Sequence, residues 1–414
     1  MPVTLSSLAL FLLLGVPVAF AIGLSAFLYL FATDAPAATM SSFLFSSLNS
    51  AALMSIPFFI LSAEILARCG ATRDLVAMVM KIAGNDRGAL PVVAVLSCMF
   101  FSLVSGSSTA TAAAIGTVMI PELIRQGYNQ RFALGLIATS GGLAMLIPPS
   151  VPLIIYGLVT ETSVRALFQA AMLPGLALGM LLCVVGYVVG RRMPARQTAD
   201  TSPSTMEGAS PRRAIAVLLM PVIVLGGIYT GFFTLTESAA VAAVYSLCVA
   251  VFVYGTGWRF LLQVLGGAAG TASIILMILG AAALLGYVFT SERVPHLVFN
   301  WVIGLDIGPG VLLFALAGCL LVAGMLLEVI SVILIVMPIL LPLLHGMDIS
   351  TVSFAILLII NMELAVITPP IGLNLFVISS ITGAKVHDVF MGTLPFAVAL
   401  LGFLCLAIVM VLLL

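Results

Sequence analysis

The chain has 414 residues, 63% hydrophobic and only 7% charged, and its 15 basic side chains balance its 15 acidic ones. A mean hydropathy of +1.31 is more apolar surface than a water-soluble core of this length absorbs, and the neutral balance without a basic stripe excludes a nucleic-acid partner. Runs of about 20 apolar residues recur, enough to cross ~30 Å of hydrocarbon, and period-2 alternation is missing, so the pattern reads as an all-α polytopic membrane protein. In chain order it predicts helices near 5–31, 42–66, 132–159, 164–190, 214–231, 234–256, 262–290, 351–381 and 388–414. Met1 to Phe31 has no basic n-region and no clear cleavage site, so it reads as a retained first helix rather than a signal peptide. The six cysteines are scattered without metal or redox spacing and read as small packing residues.

Two regions differ from the rest. Segments 89–125 and 309–345 each have room for two half-depth helices and carry a polar break at the centre. They are read as re-entrant hairpins, which are allowed only where backbone is buried in protein or lines a wet cavity. The halves also repeat. Pro148-Pro149 recurs as Pro369-Pro370, 221 residues on, and Leu173-Pro174 recurs as Leu394-Pro395 at the same offset. The expected organisation is a first repeat at 1–190, a cytoplasmic linker and connector helix at 191–231, and an inverted second repeat at 232–414. Each repeat holds one hairpin and one broken helix (132–159 and 351–381). Such a repeat predicts a secondary transporter whose site lies between the halves, and the expected mechanism is an elevator in which the hairpins and broken helices move as one block against a scaffold.

Basic residues test the topology. With the linker inside the cell, 13 of the 15 lysines and arginines fall on the cytoplasmic side, and only Arg165 and Arg293 fall outside. That bias agrees with the positive-inside rule and places the N-terminus in the cytoplasm.

The chemistry concentrates at the breaks. The first hairpin turns at Ser105-Gly106-Ser107-Ser108-Thr109, where small residues let helices approach and supply hard oxygen ligands. The position equivalent to Ser107 in the second repeat is Glu328, inside an otherwise apolar run. An ionisable group there is expected to face a pathway or a partner. Glu64 and Glu363 also interrupt apolar runs and are read first as contact residues. Each proline pair removes backbone donors and unwinds its helix, freeing carbonyls opposite an oxygen-rich tip, an arrangement suited to sodium. Half-helix N-termini suit an anion.

The runs SGSSTATAAAIGTVMIPELIRQGY, IPPSVPLIIYG, TLTESAAVAAVY and TPPIGLNLFVISSITG, with IPFFILSAEIL early in the chain, together resemble the large membrane subunit of the TRAP transporters, the tripartite ATP-independent periplasmic transporters. The resemblance covers essentially the whole chain. It implies sodium-driven import of small carboxylates or acidic sugars across the bacterial inner membrane, a periplasmic substrate-binding protein and a small four-helix membrane subunit, here expected as a separate polypeptide. By position it places one sodium site at Ser105 and Ser107 with carbonyls of Ala144, Ile147 and Pro149. It places a second at Gly324, Thr368 and Pro369, with substrate against Ser108, Glu328 and Asn374. Sodium is the coupling ion and no cofactor is expected.

A self-sufficient sodium/carboxylate symporter of related fold is the alternative. An enzyme is not expected: His296, His345 and His387 fall at segment ends, and no GxSxG elbow with a partner histidine is present. A passive channel agrees with hydropathy alone; sodium-coupled accumulation against a gradient would exclude it.

Overall fold

The computed structural model describes residues 2–33, 37–83, 88–193 and 209–413. Most of the expected linker, 194–208, lies outside them, as do the cytoplasmic markers Arg87 and Arg196. The described chain is helical: α1 (Pro2–Leu13), α2 (Val18–Ala32), α3 (Ala37–Leu48), α4 (Ser55–Arg68), α5 (Ala71–Ala83), α6 (Ala89–Ser105), α7 (Ser108–Arg125), α8 (Gln130–Gly142), α9 (Val151–Val159) and α10 (Val164–Arg191). After the linker come α11 (Pro211–Thr230), α12 (Leu235–Cys248), α13 (Trp258–Ser291), α14 (Val294–Ile303), α15 (Pro309–Leu326), α16 (Val329–Gly346), α17 (Thr351–Ala365), α18 (Leu373–Thr382) and α19 (Val386–Leu413). Among the described residues, seven helices are long and apolar enough to cross a membrane.

Local chemistry sets the boundaries. Asn129, Ser163 and Ser350 cap α8, α10 and α17 by accepting from backbone N–H groups in the first turn. Thr234 and Glu237 form a reciprocal capping box at the start of α12. Gly231 and Gly383 end α11 and α18 in the left-handed conformation.

The expected elements are refined in several places. The single helix at 5–31 is two, because Gly15 takes a positive φ and Pro17 cannot continue α1. The helix at 42–66 is divided by a 3₁₀ turn at Ala51–Met54. Two helices are additional: α5, bent 70° from the segment before it, and the short α14. The hairpin arms α6, α7, α15 and α16 have 17 or 18 residues, about 26 Å each, so they are longer than half a bilayer.

The two halves keep the same element order at an offset of 221 residues. Both ends of α7 map onto α16, and the start of α8 onto the start of α17. Both Pro-Pro peptide bonds are cis. The broken helices form the centre: in α8 every residue from Phe132 to Gly142 is buried, and in α17 every residue from Phe354 to Ala365. Around this centre pack α6, α7, α10, α15 and α19. A second group joins α2, α3 and α4 to the 34-residue α13, with α12 packed on α4. Outward faces remain apolar, as at Leu173, Met180 and Val184 of α10 and Val398 and Leu401 of α19, which suits hydrocarbon surroundings. Glu64 pairs with Arg68 one turn along α4, beside Gly267 of α13, and so serves packing within this group.

Helices α8 and α19 come into backbone contact. A Cβ on Gly392 would lie 1.8 Å from the Arg131 carbonyl oxygen, and one on Gly135 would lie 1.9 Å from the Gly392 carbonyl carbon. An ion pair between Arg131 and Asp388, 2.8 Å, closes the end of this contact. Gly392→Ala is expected to cost about 1–3 kcal/mol through overpacking and to lower the thermal midpoint of the purified chain in detergent. Gly402→Ala, where a Cβ meets nothing within 4 Å, is expected to stay within about 0.5 kcal/mol of the parent.

Candidate functional site

The first hairpin tip is built by an αL glycine. α6 ends at Gly106, whose φ of +58° turns the chain, and Ser107 then caps α7 by accepting from Ala110 N. Helix α8 stops where Pro148 and Pro149 supply no N–H. After a short 3₁₀ turn, α9 begins at the Ser150 cap. Tip and break touch: Val151 N donates to the Gly106 carbonyl at 3.3 Å, and a Cβ on Gly106 would lie 2.4 Å from the Pro149 oxygen. The Pro149 carbonyl therefore faces the hairpin turn. Among the described residues, no backbone N–H outside the helices donates to the carbonyls of Ala144, Ile147 or Pro149.

The hydroxyls of the tip gather there too. Ser105 Oγ lies 2.5 Å from Thr111 Oγ1 and donates to the Ser107 carbonyl at 3.2 Å, while Ser107 Oγ is 3.2 Å from Thr109 Oγ1. Of the residues assigned to the first sodium site, Ser105, Ala144 and Ile147 are buried and Ser107 is half-buried. While the Ile147 side chain packs toward Gly175 of α10, the structure brings Ser105, Ser107 and the Pro149 carbonyl to one place. Thr111 and Ser150 join it without having been singled out; the motif Ser150-Val151-Pro152, a cap followed by proline in the first turn, is the sequence signal for the latter.

The second set is arranged similarly and is more open. Ile371 N donates to the Met325 carbonyl at 3.1 Å, which ties the break after α17 to the C-terminal end of α15. Gly324 faces α17, with a Cβ there 2.7 Å from that of Ala365. Thr368 is half-buried and its hydroxyl donates to the Leu364 carbonyl at 2.6 Å. Pro369, Pro370 and Ile371 are exposed, whereas the matching residues of the first break are buried. Glu328 is exposed at the N-cap of α16, the position Ser107 holds on α7, but its side chain makes no capping bond. A carboxylate there is favoured by the helix dipole.

Asn374 joins the halves. It is fully buried in the first turn of α18; its Oδ1 accepts from Ser108 Oγ at 2.9 Å and its Nδ2 donates to the Ala138 carbonyl at 2.9 Å. Its backbone N donates to Val366 O at 3.1 Å, across the second break. The N-termini of α7 and α18 therefore meet at Ser108 and Asn374, and that of α9 meets the same hairpin tip. Three helix N-termini with their positive ends gathered beside hydroxyls and unengaged carbonyls can hold an anion and a hard cation together.

An all-helical membrane fold with paired breaks facing paired hairpins defines a transporter. The Alcanivorax borkumensis YdaH transporter has a similar fold: it superposes with a TM-score of 0.65 at 13% identity, over 99% of this chain and 98% of that one. Residues 5–413 match the family described as tripartite ATP-independent periplasmic transporter, DctM component. The C4-dicarboxylate TRAP transporter large permease protein DctM of Pseudomonas aeruginosa is 41% identical over 87% of this chain and 84% of its own length. The sialic acid TRAP transporter large permease protein SiaM of Vibrio cholerae is 30% identical over 96% and 93%. The chain thus belongs to the TRAP transporter large permease family. It also matches the isethionate TRAP transporter permease protein DctMQ of Oleidesulfovibrio alaskensis at 33% identity, spanning 98% of this chain but 64% of that longer protein.

Asn374→Ala is expected to cost about 1–2 kcal/mol, the worth of two interhelical bonds within a membrane, and to loosen α18 from α7. Hydrogen exchange in α18 read by mass spectrometry, together with the thermal midpoint, checks this.

Proposed function

We propose that this chain is the large membrane subunit of a sodium-coupled importer of small organic anions, carboxylates or acidic sugars. It receives them from a periplasmic binding protein and works beside a separate small four-helix membrane subunit. The observation that carries the reading is the meeting of the α7, α9 and α18 N-termini at an oxygen-lined hairpin tip. Positive helix ends suit the anion; the hydroxyls of Ser105 and Ser107 with the carbonyls of Ala144, Ile147 and Pro149 suit one sodium ion. Gly324, Thr368 and Pro369 surround the second ion, and Ser108, Glu328 and Asn374 border the substrate. Two relatives bear names of anionic substrates, C4-dicarboxylate and sialic acid, which supports the substrate class. The greater length of the DctMQ relative supports a second membrane component.

In this reading residues 1–190 and 232–414 are inverted repeats and the hairpins are re-entrant. The protein lies in the bacterial inner membrane with its N-terminus in the cytoplasm. Helices α6–α10 and α15–α19 move as a block, elevator-fashion, against α1–α5 and α11–α14. Asn374 and its two bonds hold that block together across the repeats. A substrate reaches the Asn374 amide only by displacing Ser108 or the Ala138 carbonyl.

Reconstituted with its partners, the chain is expected to take up substrate only with sodium present, rising more than linearly with sodium concentration. Each net positive charge moved inward gains about 2.3 kcal/mol per 100 mV. Uptake that persists when choline replaces sodium and follows a proton gradient instead would overturn the coupling ion. Ser105→Ala and Ser107→Ala are each expected to raise the sodium concentration for half-maximal uptake by about tenfold, the worth of one bond to a charged group. Glu328→Gln is expected to reduce uptake strongly while membrane assembly is kept; near-normal uptake would remove Glu328 from the site.

A further inference from the structure

The two broken helices cross at a pair of equivalent residues. Gly142 ends α8, and the residue 221 positions later is Glu363, near the end of α17. These two touch: a Cβ on Gly142 would lie 2.6 Å from Glu363 Cγ and 3.1 Å from its Oε1. A residue in contact with its own repeat mate lies on the axis relating the halves. Glu363 is fully buried there, and among the described residues neither of its carboxyl oxygens has a hydrogen-bond partner.

An ionised carboxylate without partners in such surroundings costs many kcal/mol, so the group holds a cation or a proton. Among the described residues, no charged side chain bonds to it. Glu363 is the one titratable residue of α17. On the elements packed against α17, the charged or chargeable groups stand at helix ends: Arg131 on α8, Arg165 and Arg191 on α10, Glu328 and His345 on α16, and His387 and Asp388 on α19. The others there are Tyr156 on α9, Cys183 and Tyr187 on α10, Cys319 on α15 and Cys405 on α19. The Tyr156 hydroxyl donates to Thr351 O at 2.7 Å, at the opposite end of α17. Arg131 is 11 residues from Gly142 along α8, about 16 Å. On the Gly142 side the carboxyl and the methylene next to it lie directly against α8.

We propose that Glu363 is a proton-binding site on the internal axis, filled at neutral pH and closed off by the contact between α8 and α17. A glycine at its mate position is what makes room for it. Any movement that parts the two helices exposes the acid to water and releases the proton. The inference rests on the packing and on the repeat of the functional reading, not on its coupling ion, so failure of sodium-driven uptake would leave it standing.

Infrared spectra of the purified chain in lipid nanodiscs, wild type minus Glu363→Gln, test it at neutral pH in H2O and D2O. The expected result is a protonated-carboxyl C=O band that shifts in D2O and is missing from E363Q, while E363Q, a neutral near-isostere, keeps the thermal midpoint. Gly142→Ala, whose methyl pushes on Glu363 Cγ, is expected to weaken the seal and speed deuterium exchange of that carboxyl by about tenfold. A wild-type spectrum without the band, or a thermal midpoint that rises with sodium in wild type but not in E363Q, would assign the group to a bound cation and overturn the proposal. A band with exchange as fast in wild type as in G142A would also overturn it, since the acid would then not be sealed.

Discussion

Everything in this molecule turns on backbone that must be satisfied away from water. A continuous helix meets that requirement by itself; a helix cut by two prolines does not. Here the cuts after α8 and α17 are met by neighbours: Val151 N reaches the Gly106 carbonyl and Ile371 N reaches the Met325 carbonyl. The hairpin turns therefore have to lie against the breaks, and the arms α6, α7, α15 and α16 have to pack around α8 and α17. What backbone bonding leaves over is a small set of carbonyls and hydroxyls at each tip, which is what a hard cation needs.

The halves share an element order but not a state. The first break is buried throughout, while Pro369 to Ile371 and Glu328 stand exposed. The first tip carries serines and threonines that bond among themselves; the second carries one carboxylate with no cap bond. Cross-repeat ties compensate for the difference. Asn374 links α18 to both α7 and α8, and Gly135 and Gly392 bring α8 and α19 into backbone contact. These ties run between helices of the two halves, from α18 to α7 and α8 and from α19 to α8.

Nearly every apolar run was legible as a helix because a membrane solvent demands length and hydrophobicity, and both are written locally. The misses have local reasons as well. Helix α5 carries Arg73, Asp74 and Lys81 on an amphipathic repeat and reads as a loop by hydropathy. Its partners decide otherwise: Asp74 is buried, accepting from Tyr254 Oη at 2.9 Å and from Ser210 N at 2.6 Å, which fastens the chain entering α11 to this helix. Helix α14 has ten residues, too few to stand out beside its neighbours.

By itself the sequence determined the membrane class, the turns between α6 and α7 and between α15 and α16, the two proline breaks and their common offset, since composition, helix-breaking residues and repetition are properties of the chain alone. It also pointed to the tip hydroxyls, because serines and glycines amid apolar runs have few other uses. Only the tertiary structure decided who meets whom. That Ser108 binds Asn374, that the Pro149 carbonyl faces Gly106, and that Glu363 lies on its own repeat mate are contacts between segments tens to hundreds of residues apart. The same carboxylate chemistry ended ion-paired within α4 at Glu64, exposed at Glu328 and sealed at Glu363. Local pattern is alike at all three. Burial and partners are set by packing of distant helices, which no window along the chain contains.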